Sequence, residues 1–213
     1  MTDDLDDLIR RTDPDRWLSS RFIGDAQARA DVIAIYAYDH ELARAPKVAS
    51  NPLLGEIRLT WWGEVLDEVF EGRAVRRHPT AQALAEVVRR RGLPREPLAA
   101  MIDARYRELD ATPMTEAEAL EWARDTGGRA AELAVRILDP AQDPDQAVAA
   151  GAAWALLRKG LTVQGTVEAR AGARRLSAAA FPAVAHAAFA IRPARSDLAR
   201  RVRLIWAVAR GRL

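Results

Sequence analysis

The sequence contains no cysteine, which excludes disulfides and thiolate metal sites. Lysine is nearly absent too. Lys47 and Lys159 are the only two, so arginine carries the basic character. The three histidines, His40, His78 and His186, lie far apart, and none has a second histidine or an acid at the spacing of a zinc-protease helix. No apolar run reaches the roughly 18 residues of a membrane-spanning helix. The nearest, Ser177 to Ile191, is interrupted by Pro182 and His186 and reads as a buried or interfacial helix. There is no G-x-S-x-G, no P-loop and no G-x-G-x-x-G. Ser177 and Ser196 have no base at a motif spacing. The opening residues, MTDDLDDLIRR, are acidic and lack the basic-then-apolar layout of a signal peptide. The expected compartment is the cytoplasm, with a peripheral position on the inner face of the membrane as a further expectation.

What is present is enough for one core. The chain has 213 residues, 49% of them hydrophobic, and a single helical domain over 1–213 is expected. The formal charge of +2 conceals an asymmetry: from Arg158 onward there are 12 basic and 2 acidic residues. A basic C-terminal quarter points to an anionic surface as partner or to a solvated arginine-rich face, and both readings stand. Nucleic acid is not the expected partner.

Apolar residues recur at helical spacing almost throughout, and no long stretch alternates with period two. Asp25 can cap a helix carrying Val32, Ile35, Tyr36 and Leu42, which should end or kink within a turn of Pro46, because proline lacks a backbone donor and crowds the preceding turn. Asn51 followed by Pro52 is an N-cap with a first-turn proline. The helix it opens is predicted to bury Leu54, Ile57, Trp61, Val65 and Val69, to end at Gly72, and to pack antiparallel to its predecessor through a short connection. Further helices are predicted from Pro79 to Gly92 (opened by Thr80), from Pro94 to about Asp110, and from a Thr115/Glu118 capping box through a break at Gly127–Gly128. Others are predicted from Asp145 to about Lys159 and over the C-terminal SDLARRVRLIWAVARGRL. The last should bury Leu198, Val202, Ile205 and Ala209.

Two groupings invite chemistry. Glu64, Asp67, Glu68 and Glu71 share one helix face. They could hold magnesium through a substrate phosphate or form the wet side of a helix. Trp61 and Trp62 point about 100° apart, so either one is core while the other lies on a rim or lines an apolar pocket, or both are core between packed helices.

The stretch YAYDHELARAPKVASNPLLGEIRLTWWGEVLDEVFEGRAVRRHP resembles the first half of the squalene/phytoene synthase family. LAEVVRRRGLPREPLAAMIDARYRELD and EWARDTGGRAAELAVRIL are similar to its middle. The resemblance implies an all-α isoprenoid-synthase-like bundle around a central cavity, here short after about Leu176. In that family two aspartate-rich motifs hold magnesium against prenyl diphosphates. On this chain the first motif's aspartates fall on Ala43 and Lys47, beside Arg44, and an ungapped placement puts the second pair at Thr162 and Thr166. The G-E-I-R-L-x-W-W run from Gly55 to Trp62 is similar to a degenerate branch of the family whose mitochondrial members are assembly factors for respiratory complex I.

These resemblances imply no catalytic residues, no metal and no cofactor, with magnesium entering only if the chain is an active prenyltransferase using acids such as Glu64 and Glu68. They imply a protein that acts by binding a protein assembly partner or an anionic membrane surface, with a prenyl lipid or prenyl diphosphate as a further ligand. The candidate binding residues are Tyr36, Glu41, Arg44, Arg58, Trp61 and Trp62. Opposite charges from two packed helices, Glu41 and Arg58, are expected within reach of each other.

Overall fold

The computed structural model describes residues 2–47, 51–193 and 196–213. Among them there is no strand. Twelve helices are joined by short turns: α1 (Thr2–Thr12), α2 (Pro14–Ser20), α3 (Ala26–Lys47), α4 (Pro52–Phe70), α5 (Pro79–Arg91), α6 (Arg95–Tyr106), α7 (Glu116–Ala123), α8 (Arg129–Leu138), α9 (Val148–Lys159), α10 (Thr166–Ala173), α11 (Ala188–Ile191) and α12 (Asp197–Arg210). The all-helical expectation holds.

Helix α3 is the axis of the molecule and packs against α1, α4, α5, α6 and α8. It is buried on every side from Asp31 to Asp39, as a helix surrounded by others must be. The Asp25 carboxylate accepts from the Ala28 backbone N–H at 2.6 Å, so this cap reads correctly from sequence. Pro46 sits in the last turn, where it cannot donate to the Leu42 carbonyl, and the helix stops one residue later at Lys47. The connection to α4 lies partly outside the described residues. Asn51 caps α4 through Leu54 N at 3.0 Å. Helix α4 returns antiparallel: Tyr38 meets Trp62 edge-on at 5.3 Å, while Arg44 and Ala45 share a groove with Ile57 and Arg58.

Helix boundaries follow their capping signals, but buried faces do not always follow the apolar pattern. Helix α4 buries Gly55, Leu59, Trp62, Val65, Leu66 and Glu68. Leu54 and Ile57 are exposed, and Trp61 and Val69 are only half-buried. In α12 the inward residues are Leu204 and Ala207; Leu198, Val202, Ile205 and Ala209 face solvent. The predicted helix over Ser177–Ile191 is buried from Ala180 to Ala190 but is not continuous. Two 3₁₀ turns, Phe181–Ala183 and Ala185–Ala187, precede α11, because Pro182 cannot donate to an α-helical ladder. His78, not Thr80, occupies the N-cap position of α5.

The capping box at Thr115 and Glu118 is complete. The expected break at Gly127–Gly128 is a single π-helical segment, Arg124–Gly128, that links α7 to α8. It lies against α9 at very close range: a Cβ built on Gly151 would sit 2.2 Å from the Gly127 carbonyl oxygen. Helix α9 is then stopped by Gly160 in the left-handed conformation, φ +75°. This crossing sets the height of Trp154, Arg158 and Lys159 relative to α3.

No helix among the described residues is long and apolar enough to cross a membrane.

Candidate functional site

A cavity of about 300 Å³ opens between the start of α2, the second half of α3, the end of α6, the π-helical segment and α9. Its lining carries six cationic side chains, Arg16, Arg44, Lys47, Arg105, Arg158 and Lys159, against three carboxylates, Asp13, Asp39 and Glu108.

The floor is a buried charge network. Arg16, only 2% exposed, donates from Nη1 to Asp39 Oδ2 at 2.5 Å. Arg105 donates from Nη2 to Asp39 Oδ1 at 2.6 Å and from Nη1 to Glu108 Oε1 at 2.6 Å. Trp122 Nε1 also donates to Glu108 Oε1, at 3.1 Å, and Lys159 pairs with the other Glu108 oxygen. Burial by itself would raise the Asp39 carboxyl; Arg16 and Arg105 outweigh it and hold it at about 2. Burial likewise opposes ionisation of Glu108, but Arg105 and Lys159 keep it below the usual carboxylate range. Asp13 behaves differently. Burial pushes it up to about 6 despite Arg16 and Arg158.

Each aromatic ring lining the cavity carries a cation over its face. The Arg16 guanidinium lies 4.8 Å from the Tyr36 ring centre and 4.0 Å from that of Trp154. Arg158 also stands over Trp154, and Arg105 and Lys159 stand over Trp122. Behind the floor, His186 packs edge-on to Trp154 and Tyr36. Burial, reinforced by Arg16, keeps it well below the usual histidine range, hence neutral.

The sequence-based candidates divide between two places. Tyr36, Ala43, Arg44 and Lys47 line the cavity. Glu41, Arg58, Trp61 and Trp62 line a separate groove of about 350 Å³ with Ile57 and His78, and Arg44 borders both. Trp62 is buried while Trp61 is half-buried, and His78 lies 5.6 and 5.4 Å from their ring centres. The anticipated Glu41–Arg58 pair is absent among the described residues. Glu41 instead accepts from Arg44, three residues on, at 3.2 Å. Thr162 is exposed beyond the end of α9, and Thr166 is the first residue of α10. Neither lines the cavity; the α9 residues that do are Trp154, Ala155, Arg158 and Lys159.

Arg16, Asp39, Arg105 and Glu108 do not stand out in the sequence as site residues. Only Arg16 has a local signal. Asp13–Pro14 is the same cap-plus-proline pattern as Asn51–Pro52, and Asp13 does accept from Arg16 N at 3.1 Å.

Residues 9–159 match the squalene/phytoene synthase family. The chain belongs to that family. Over 133 residues it is 28% identical to NADH dehydrogenase (ubiquinone) complex I, assembly factor 6 of Bos taurus, and 26% identical to that of Homo sapiens. Each match covers 62% of this chain and 39% of the relative, so the matched part spans well under half of those proteins. The crystal structure of squalene synthase HpnC from Alicyclobacillus acidocaldarius superposes with a TM-score of 0.63 at 18% identity, covering 99% of this chain and 91% of that one. This establishes the shared helical fold.

The squalene/phytoene synthase family implies magnesium at the cavity. The residues here do not fit it. Magnesium requires hard anionic oxygens held ready for it, yet the two first-motif positions offer a methyl group and an ammonium. The three lining carboxylates face arginine or lysine, and no group of three or more potential ligands that could hold a metal occurs among the described residues. Three acids of α4 and its C-cap Glu71 are committed elsewhere. Glu64 and Glu68 pair with Arg76, Asp67 with Arg95 and Glu71 with Arg73.

Proposed function

We propose that this squalene/phytoene-synthase-like chain works by binding rather than catalysis, in the assembly of respiratory complex I. The observation that carries this reading is the charge of the cavity: six cations and three carboxylates already paired to them line it, where the family's chemistry needs carboxylates free to hold metal. Ionising an allylic diphosphate requires the departing pyrophosphate to be neutralised in place. Removing one such stabilising group commonly costs about 10²–10³ in rate, and here neither first-motif position carries a carboxylate. The likeness to complex I assembly factor 6 supports the partner class.

Two measurements test it. Purified protein given labelled farnesyl or geranylgeranyl diphosphate, magnesium and reductant should yield no C30 or C40 product above a heat-killed blank, beside an active family enzyme as control. Product above the blank overturns the reading. Deleting the gene in its host should lower NADH:quinone oxidoreductase activity in isolated membranes, and the intact gene should restore it. Unchanged activity removes the assembly role.

A peripheral membrane position is a second part of the proposal. Leu198, Val202, Ile205 and Trp206 recur at i, i+4, i+7 and i+8 on α12 and are 72%, 44%, 54% and 54% exposed. Arg201 and Arg210 stand exposed on the same helix, with the Arg210 guanidinium 4.4 Å from the Trp206 ring centre. An apolar face ringed by arginine is the pattern of a helix lying in the headgroup region. Vesicles containing anionic lipid should bind the protein weakly, and binding should fall as salt screens the charge over about 8 Å. Equal binding to neutral vesicles, or none at low salt, rules this part out.

A further inference from the structure

A groove of about 540 Å³ runs along one flank of α12 and shares no lining residue with the central cavity. Its α12 wall is Ala199, Val202, Arg203, Trp206, Ala207 and Arg210. Steps of three and four keep all six on one side of the helix. Gly211, at φ +57°, turns the chain back, and the Arg212 N–H donates to the Ala207 carbonyl at 3.1 Å, so Arg212 and Leu213 join the lining. Ala188 of α11 and Ala207 are buried in its floor, and Val202 and Trp206 are partly exposed. Every charged side chain in the lining is an arginine: Arg192, Arg203, Arg210 and Arg212. None of the four is in an ion pair among the described residues. Arg203 donates to the Arg192 carbonyl, and Arg210 lies over the Trp206 ring. The negative end of the α12 dipole accounts for cations in its last turn, but Arg192 and Arg203 lie well before that turn.

From these observations we infer that the groove holds a single anionic phospholipid, its phosphate gripped by guanidinium groups and an acyl chain laid along the apolar floor. Guanidinium groups match phosphate oxygens in fork geometry, and here no side-chain carboxylate competes for them. The eleven-residue step from Ala199 to Arg210 is roughly 16 Å of helix. That is close to the depth of one leaflet, half of a hydrocarbon core roughly 30 Å thick. Val202 and Trp206 belong both to this floor and to the exposed apolar stripe of α12, so the groove opens onto the face proposed to meet the membrane. That continuity favours a lipid over a free phosphate ion or an acidic peptide. The inference rests on the membrane part of the proposed function and adds the ligand, one molecule bound per chain.

The test is calorimetric titration of the whole protein with dioctanoyl phosphatidylglycerol held below its micelle concentration. Dioctanoyl phosphatidylcholine, inorganic phosphate and octanoate are the comparisons. The phosphatidylglycerol should bind saturably, one molecule per chain. The other three should bind at least about tenfold more weakly, because they lack the net charge, the tail and the phosphate respectively. The double variant Arg192→Gln, Arg210→Gln should weaken lipid binding by at least about tenfold. Ala199→Phe keeps every arginine but fills the groove with a ring, and it should do the same. These three positions are at least partly exposed, and circular dichroism melting verifies that both variants fold. Absence of saturable binding, equal binding of any of the three comparison ligands, or a folded variant that binds like wild type overturns the inference. A glutamate-rich peptide that binds more tightly than the phosphatidylglycerol assigns the groove to an acidic protein and also overturns it. Failure of the membrane reading is separate: vesicles then fail to bind, or bind regardless of charge, while the monomeric lipid still titrates.

Discussion

Changing Asp39 to alanine should destabilise the protein by about 3–5 kcal/mol, the usual cost of removing one partner from a buried ion pair. Asp39 is the single carboxylate shared by Arg16 and Arg105, which are 2% and 5% exposed. Without it the one carboxylate left to Arg16 is Asp13, at 3.9 Å, which burial already pushes towards neutrality. Two guanidinium groups would then stand in the interior with too few acceptors. The measurement is urea unfolding of both proteins at several pH values. The Asp39 carboxyl is held at about 2, below its ordinary 3.8. A depressed carboxylate stabilises the fold above its unfolded pKa, and that contribution disappears as pH falls through the folded one. The gap between wild type and variant should therefore be widest above about pH 4 and should narrow towards pH 2. A loss under about 1 kcal/mol at pH 7, or a gap that stays constant down to pH 2, contradicts the network as described.

Gly151→Ala should be almost as damaging for a purely steric reason. The added carbon would lie 2.2 Å from the Gly127 carbonyl oxygen and 2.8 Å from the Ala131 Cβ. Both obstacles belong to the backbone or to a side chain with no freedom, so α9 must move bodily. Overpacking of a tight core commonly costs about 1–3 kcal/mol, and a backbone collision belongs at or above the top of that range. Gly63→Ala in α4 supplies the contrast. Nothing lies within 4 Å of the place its new Cβ would take, and alanine in a helix gains about 0.5–1 kcal/mol over glycine. Thermal melting of the pair should shift in opposite directions. Equal melting temperatures for Gly151→Ala and wild type contradict the close crossing of α9 and the π-helical segment.

Sequence conveyed some features of the molecule and withheld others for identifiable reasons. Helix ends were legible wherever a side chain closes on the backbone next to it, as Asn51 and Thr115 do, because such caps are local. Burial on α4 was not. Its first half carries Leu53, Leu54, Ile57, Leu59, Trp61 and Trp62, so apolar residues surround the helix and periodicity cannot select a side. The choice is made by what α3 and α6 present to it. Helix α12 has two competing apolar stripes, and the shorter, Leu204 with Ala207, is the one that docks. The cavity shows the same division. Ala43 and Lys47 could be placed through the family resemblance. Arg16, Asp39, Arg105 and Glu108 lie on three separate stretches of chain, and nothing in the local sequence of any one announces the others.

The reliance on arginine fixes the charge of the cavity across the ordinary pH range. A guanidinium does not titrate in any physiological range, and the neutral His186 cannot serve as a proton-driven trigger from its place behind the floor. Four of the six positive charges, Arg16, Arg44, Arg105 and Arg158, are guanidinium groups, and each is braced by another group of the protein. Asp13, at about 6, offers only a slight adjustment: it gains its negative charge as pH rises through that value and trims the surplus by one. Through Asp13, acidification therefore adds at most one positive charge to the lining.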